Sequence, residues 1–309
     1  MGRFVFRRFL SVIPTMFIIV TLAFFIMRAA PGGPFASEKE LPPAIMENIL
    51  RKYHLDESLP RQYLRFLGDV IRGDLGPSFV NRDFTVNQLI ALSLPNSITL
   101  GLTALTIAVV LGVAIGIVSA LRQNTAIDYA SMSVAITGVT VPLFVAGPVL
   151  MLVFAVWFKI LPTSGWIDGR HGLKTLILPA ITLSLPTFAY IARLTRASML
   201  ETLRSDYVRT ARAKGLSMPV IVFKHVLKGA LLPVVSYLGP GFAAIVIGSV
   251  VVETTFMVPG MATWFIRSSL NRDYTLIMGC LIVYSLILII MNFIVDIIYG
   301  FLDPRISYK

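Results

Sequence analysis

Asp296 and Asn292, one helical turn apart on a shared face, are the best-placed residues in this chain for moving a proton or an ion. A carboxylate at membrane depth costs several kcal/mol unless it is paired or used, on the order of the transfer penalties for buried charge. Asp296 lies only seven residues, about 10 Å of helix, before Asp303, so a helix-end carboxylate paired with a basic inner-loop residue accounts for it better than a proton relay does. His54, His171 and His225 are far apart in sequence and fall in different loops. The single cysteine, Cys280, excludes an intrachain disulfide and sits in an apolar run, where it reads as a small buried hydrophobe. The sequence holds no G-x-x-x-x-G-K-[ST], since Lys174-Thr175 follows Leu173, and no H-E-x-x-H or G-x-S-x-G. An enzyme or self-powered pump would need such groups, so the expectation is a chain without a catalytic site or cofactor of its own.

The elements that carry these residues are apolar. The chain is 56% hydrophobic and 14% charged, against about a quarter charged in ordinary soluble domains. Its net charge of +11 could suit nucleic acid, but the apolar runs leave no room for the charged surface this would need, and the charge reads instead as a record of topology in a lipid bilayer. Charge-free runs at 9–27, 84–121, 129–158, 175–192, 229–252 and 274–295 predict six spans, since a bilayer core needs about 20 residues of helix. We place them near 9–29, 96–121, 130–158, 174–193, 229–253 and 274–302, in a single all-α membrane domain. Pro95-Asn96-Ser97 sets the start of the second, and the fourth, the shortest, is open to extension at both ends. The first run has the flanks of a secretion signal, but its apolar core exceeds the about 7–15 residues of one and reads as an uncleaved anchor. Glu253, at the outer end of the fifth span, reads as interfacial.

Lysine and arginine set the orientation. With a cytoplasmic N-terminus the inner segments hold 14, of which eight lie in the loop from Arg193 to Lys228, and the short outer loops hold 5. Both termini are therefore expected in the cytoplasm. The segment 30–95 becomes an outer lobe with an amphipathic helix from Pro43 to about Gly68, carrying Ile45, Ile49, Tyr53 and Leu64. The outer loop 254–273 carries Phe256, Met257, Trp264 and Phe265, read as exposed apolar side chains that meet the membrane interface or another protein. Prolines at 14, 142, 148, 179, 186, 233 and 240 allow kinks, and Gly112-x-x-x-Gly116 and Gly239-Pro240-Gly241 allow close helix approach.

The inner loop, 194–228, has a shape of its own. Leu200, Leu203, Tyr207 and Ala211 recur at helical spacing, Arg204, Arg209 and Arg212 occupy much of the rest, and Gly215 is suited to end the helix before Ser217-Met-Pro219 opens the next turn. A basic loop that merely touches anionic lipid needs no such shape. Tyr207-Val-Arg-Thr-Ala-Arg-Ala-Lys-Gly-Leu216 and Lys224-His-Val-Leu-Lys-Gly-Ala-Leu-Leu-Pro233 resemble the cytoplasmic loop of permeases in the dipeptide, oligopeptide and nickel branch of ABC importers. Arg209-Thr210-Ala211 stands where the wider superfamily has Glu-Ala-Ala, as is usual in the peptide branch. Arg7-Arg-Phe-Leu-Ser-Val-Ile-Pro14, Met27-Arg-Ala-Ala-Pro-Gly32, Glu253-Thr-Thr-Phe256, Pro259-Gly260 and Asn271-Arg-Asp-Tyr274 extend the resemblance over nearly the whole chain. Gly73-Asp-Leu-Gly-Pro-Ser-Phe79 is most similar to the first of the two permeases in oligopeptide importers.

The resemblance implies a type I ABC importer permease in the bacterial inner membrane. It would pair with a second, related permease, with two ATPase subunits that bind ATP and Mg, and with an extracytoplasmic peptide-binding protein. It places Leu203, Tyr207, Arg209, Ala211, Arg212, Lys214 and Gly215 at the ATPase contact, and Phe256, Met257, Pro259 and Gly260 at the binding-protein contact. A self-sufficient proton-coupled carrier using Asp296 is the competing reading.

Overall fold

Apolar runs with saturated internal hydrogen bonding form helices, and the computed structural model is built of them. It describes residues 2–29, 43–81, 83–167 and 172–302. In chain order the helices are α1 (Gly2–Ala29), α2 (Pro43–Lys52), α3 (Leu59–Ile71), α4 (Val86–Leu121), α5 (Ala126–Thr140), α6 (Leu143–Met151), α7 (Lys174–Leu203), α8 (Asp206–Ala213), α9 (Met218–Val220), α10 (Leu227–Ala230), α11 (Leu232–Thr255), α12 (Met261–Asn271) and α13 (Tyr274–Leu302). Wider turns of π-helix follow α6 at Leu152–Trp157 and α9 at Ile221–Val226. Among the described residues four helices are long and apolar enough to cross a membrane, and up to six spans result if each of two bent pairs is one. Expectations for 30–42, His171, Asp303, Arg305 and Lys309 lie outside the described residues, as do those for the side chains of Ile45 and Ile49.

Several limits differ from the expected ones, and proline explains two. α4 begins at Val86, not near Asn96, and runs through Pro95. One proline removes one backbone donor, and nearby side chains bind backbone carbonyls on either side of the lesion. Ser93 Oγ donates to Leu89 O at 2.8 Å and Asn96 Nδ2 to Leu92 O at 3.4 Å. The third expected span is not one straight helix, because α5 and the segment Leu143–Trp157 meet at 110°. Pro142 pushes Val141 into extended backbone (φ −87°, ψ 116°), as a residue before proline prefers, and the helix restarts in a new direction. A milder bend of 49° separates Met218–Ala230 from Leu232–Val246, with Pro233 in the first turn of α11. α7 extends to Leu203, beyond the 193 expected.

The described chain divides into two compact units. One comprises the residues up to Leu10, Ser97–Pro259 and those from Ile287; the other comprises Ser11–Asn96 and Gly260–Leu286. In the first unit α7 is the axis, with Leu178, Leu183, Ile191 and Met199 fully buried along its length. Glycines let its neighbours approach. A Cβ on Gly116 would lie 2.5 Å from Thr195 Cβ, and one on Gly112 would lie 2.8 Å from Ile191 Cγ2. The Gly112-x-x-x-Gly116 spacing thus seats α4 on α7 of the same chain.

In the second unit Val86, Leu89, Ile90, Met261, Leu276 and Cys280 form a core, and a smaller cluster gathers Phe79, Tyr274 and Ile277. Cys280 is fully buried there. Phe24 stacks on Phe66 at 5.6 Å, tying α1 to α3.

Candidate functional site

α7 stops at Leu203, and Ser205 takes extended backbone (φ −69°, ψ 153°) while its hydroxyl donates back to Thr202 O at 2.6 Å. The sequence pattern had suggested one apolar face running from Leu200 through Ala211. The break at Ser205 divides it, and the inward positions of α8 are Val208 and Ala211. Helices of eight residues do not hold themselves in water, so these contacts fix α8. Val208 (0% exposed) and Ala211 pack with Met199, Ile221, Val226 and Ala230, with Leu200 and Leu203 half-buried beside them.

The other side of α8 is open. Tyr207 is 51% exposed, and Arg209, Arg212, Lys214 and Gly215 are exposed. Tyr207 therefore belongs to the outer face, not to the buried stripe. Asp206 in the first turn and Arg212 in the last complement the helix dipole. The end is a left-handed cap: Gly215 has φ +78°, its N–H reaches Arg212 O at 2.9 Å, and Leu216 N reaches Ala211 O at 3.4 Å. Ser217 and Pro219 then start the next turn.

An ion pair between a buried carboxylate and a half-buried guanidinium lies two helical turns back from the end of α7. Asp128, 2% exposed on the first turn of α5, accepts Arg196 Nε at 2.8 Å and Arg196 Nη2 at 2.7 Å. Its remaining lone pairs take Ser119 Oγ and the Asn124 backbone N–H at 2.9 Å. The turn between α4 and α5 is thereby locked to α7. Sequence reasoning counted Arg196 only as topological charge and passed over Asp128. The signal available was Thr125 and Asp128 at the spacing of a helix N-cap and its third residue, in a turn with a single acid.

The segment 253–260 differs from its expected exposure. Glu253 is buried inside the protein, 0% exposed, with Ser97 Oγ donating to its carboxylate at 2.7 Å. Phe256 is 1% exposed, because α11 ends in a tight turn that carries it inward over Gly147, where a Cβ would lie 3.2 Å from its ring. Val258 N bonds Glu253 O at 2.9 Å, and Met257 takes the left-handed position (φ +55°). Met257 is 74% exposed and Pro259 is exposed, whereas Gly260 is buried. Phe256 and Gly260 thus cannot offer a surface, and Met257 and Pro259 can. Trp264 and Phe265, also expected to be exposed, are partly buried against the second unit's core.

In that second unit Asp273 was likewise missed. It is 0% exposed and accepts Ser78 Oγ, Phe79 N at 3.1 Å, Val80 N at 3.3 Å and Thr275 Oγ1 at 3.0 Å, while capping α13 through Leu276 N at 3.3 Å. Asp296 is half-buried, and Asn292 packs on Gly239, where a Cβ would lie 2.1 Å from its Oδ1. Among the described residues no three His, Cys, Asp or Glu side chains gather as a metal site.

The likenesses to known proteins agree with this architecture. Residues 112–308 match the family described as binding-protein-dependent transport system inner membrane component, and residues 1–101 match the N-terminal family of the same membrane components. The chain is 49% identical to the oligopeptide transport system permease protein OppB of Salmonella typhimurium over 308 residues, covering 100% of both chains. It is 44% identical to the dipeptide transport system permease protein DppB of Bacillus subtilis, over 99% of this chain and 98% of that one. A chain of the MetNI methionine ABC transporter in inward-facing conformations aligns with a TM-score of 0.59 at 15% identity, over 70% of this chain and 97% of that one, and shares the fold. This chain belongs to the family of binding-protein-dependent transport system inner membrane components, as a permease subunit of an ABC importer and not an enzyme.

Proposed function

We propose that this permease carries oligopeptides, forming half of a translocation path with a second, related permease. Two ATPase subunits, holding ATP and Mg, bind at α8, and an extracytoplasmic peptide-binding protein docks on the opposite side near Met257 and Pro259. The lysine and arginine distribution supports cytoplasmic termini and a cytoplasmic α8. The observation that carries the coupling role is the division of α8: Val208 and Ala211 anchor it, and Tyr207, Arg209, Arg212, Lys214 and Gly215 face outward with no part in the core. ATP closure of the partner subunits would move α8 as a rigid piece with α7, because an interface transmits only the difference in affinity between its two states. Similarity over the full length to a binding-protein-dependent permease supports this reading, and Asp296 brings no comparable support for a self-sufficient carrier.

The test is the double variant Arg209→Glu/Arg212→Glu in the assembled importer in liposomes. Arg209 pairs with Asp206, itself exposed, at 3.2 Å, and Arg212 is exposed, so folding is spared. Peptide uptake and the ATPase stimulation by loaded binding protein should both fall at least about tenfold, from lost charge complementarity at a close interface. Wild-type stimulation in a correctly inserted variant would remove α8 from the coupling path.

A further inference from the structure

Within the unit of Ser11–Asn96 and Gly260–Leu286, a cavity of about 150 Å³ opens beside the last turn of α1, between the α2–α3 junction and the turn at 74–77. Two of its wall groups are unsatisfied among the described residues. Gln62 is 7% exposed; its Nε2 donates to Leu55 O at 3.2 Å and Glu57 O at 2.7 Å, and its Oε1 has no partner. Arg28 Nε, on the same wall, is buried with no acceptor. Buried polar groups are nearly always paired, so an orphan donor and an orphan acceptor on two residues that line one cavity point to an occupant that both accepts and donates, reached by a small turn of each side chain. The charges on the wall say the same: Arg28 and Lys52 call for an oxyanion, Asp69 and Asp74 for a cation.

The surroundings identify the source. Arg28 ends a candidate membrane span, Leu10–Ala29, and the turns before it expose Leu22, Phe25 and Ile26. α3, whose Gln62 and Phe66 line the cavity, exposes Leu59, Leu64 and Ile71. A molecule that is zwitterionic at one end and apolar at the other fits this setting, with aromatic and basic groups at the level of lipid headgroups. We propose that the cavity holds the headgroup of a phosphatidylethanolamine lipid. Its phosphate accepts from Arg28 Nε and Lys52, its ammonium donates to Gln62 Oε1 and Asp69, and its acyl chains lie along the exposed face of α1. The site rests on α1 being a membrane span and not on the solute transported.

The test is native mass spectrometry of the assembled importer, equilibrated with vesicles of phosphatidylethanolamine, phosphatidylcholine or phosphatidylglycerol and then stripped with detergent. Phosphatidylethanolamine should be retained at least about tenfold over phosphatidylcholine, whose trimethylated nitrogen has no N–H to donate, and over phosphatidylglycerol, which lacks the cation. Arg28→Gln and Asp69→Asn should each lower that retention about fivefold or more. Asp69→Asn is the milder change, and thermal unfolding checks that both variants fold. Equal retention of the three lipids, retention unaltered in both variants, or a cavity that keeps no lipid would overturn the proposal. Displacement by soluble peptide but not by soluble phosphoethanolamine would do so as well, by assigning the site to the solute. Lipid occupancy is read without transport, so a failure here leaves the permease reading intact, and a failure of peptide uptake leaves this site intact.

Discussion

Asp128 and Asp273 are both buried aspartates that tie a loop to a helix start, yet they are satisfied by opposite means. Asp128 faces a guanidinium in a two-pronged pair, with Ser119 and one backbone N–H completing the shell. Asp273 relies on backbone N–H groups, Ser78, Thr275 and the start of α13. The first arrangement joins whole helices, α4 and α5 to α7, in the unit that carries α8. The second holds one loop, 78–80, on the end of α13. A charge pair concentrates its energy in one partner, whereas a ring of neutral donors spreads it. The two sites should therefore answer substitution differently.

The largest effect belongs to Arg196→Met. It leaves the Asp128 carboxylate with only Ser119 and one backbone N–H, and since breaking a buried pair from one side costs about 3–5 kcal/mol, the half-buried Arg196 puts the loss near the lower end, about 3 kcal/mol. Thermal unfolding of the purified chain should report it, and the double variant Asp128→Leu/Arg196→Met should recover most of the loss, because removing both charges also removes the desolvation penalty. A double variant no more stable than the single would show that the pair contributes geometry beyond charge. At the other aspartate, Ser78→Ala removes one of several donors and should cost only about 1 kcal/mol. Asp273→Asn should cost more, about 1–3 kcal/mol, since it leaves buried donors facing a weaker acceptor. If Ser78→Ala proved as damaging as Arg196→Met, the distributed picture of Asp273 would be wrong.

The same contrast explains what could be read in the residues. Apolar runs and net charge are one-dimensional quantities, so the helical membrane architecture and the helix–glycine–turn shape around Gly215 were legible. Partnerships across long sequence separations were not. Nothing near Asp128 names Arg196, 68 residues away, and nothing near Asp273 names Ser78, 195 residues away. Proline misled for a related reason. Pro95 and Pro142 look alike in sequence, but α4 continues through the first while α5 ends before the second. Beyond Pro142 the redirected helix α6 buries Ala146 and Gly147, with Phe256 over the glycine, and that packing favours the bend. Phe256 itself was read as exposed because its loop is short and outer. The slot over Gly147 that receives it is invisible until the chain folds.

Met257 gives the smallest effect and the sharpest separation of stability from function. A non-glycine residue in the left-handed region costs about 1–2 kcal/mol, and glycine there returns part of the gain through its freer unfolded chain. Met257→Gly should therefore stabilise the turn by about 0.5 kcal/mol, seen as a small rise in unfolding temperature. A strained, 74% exposed methionine beside a buried Phe256 is an expensive way to end a helix unless its side chain meets a partner. If Met257 contacts the binding protein, the more stable variant should show weaker ATPase stimulation by loaded binding protein, by about threefold to tenfold, the range of a modest apolar contact. Basal ATPase should not change, because the turn lies outside the α8 cluster. A rise in stability with undiminished stimulation would make Met257 a tolerated imperfection of the cap and would confine the candidate contact to Pro259.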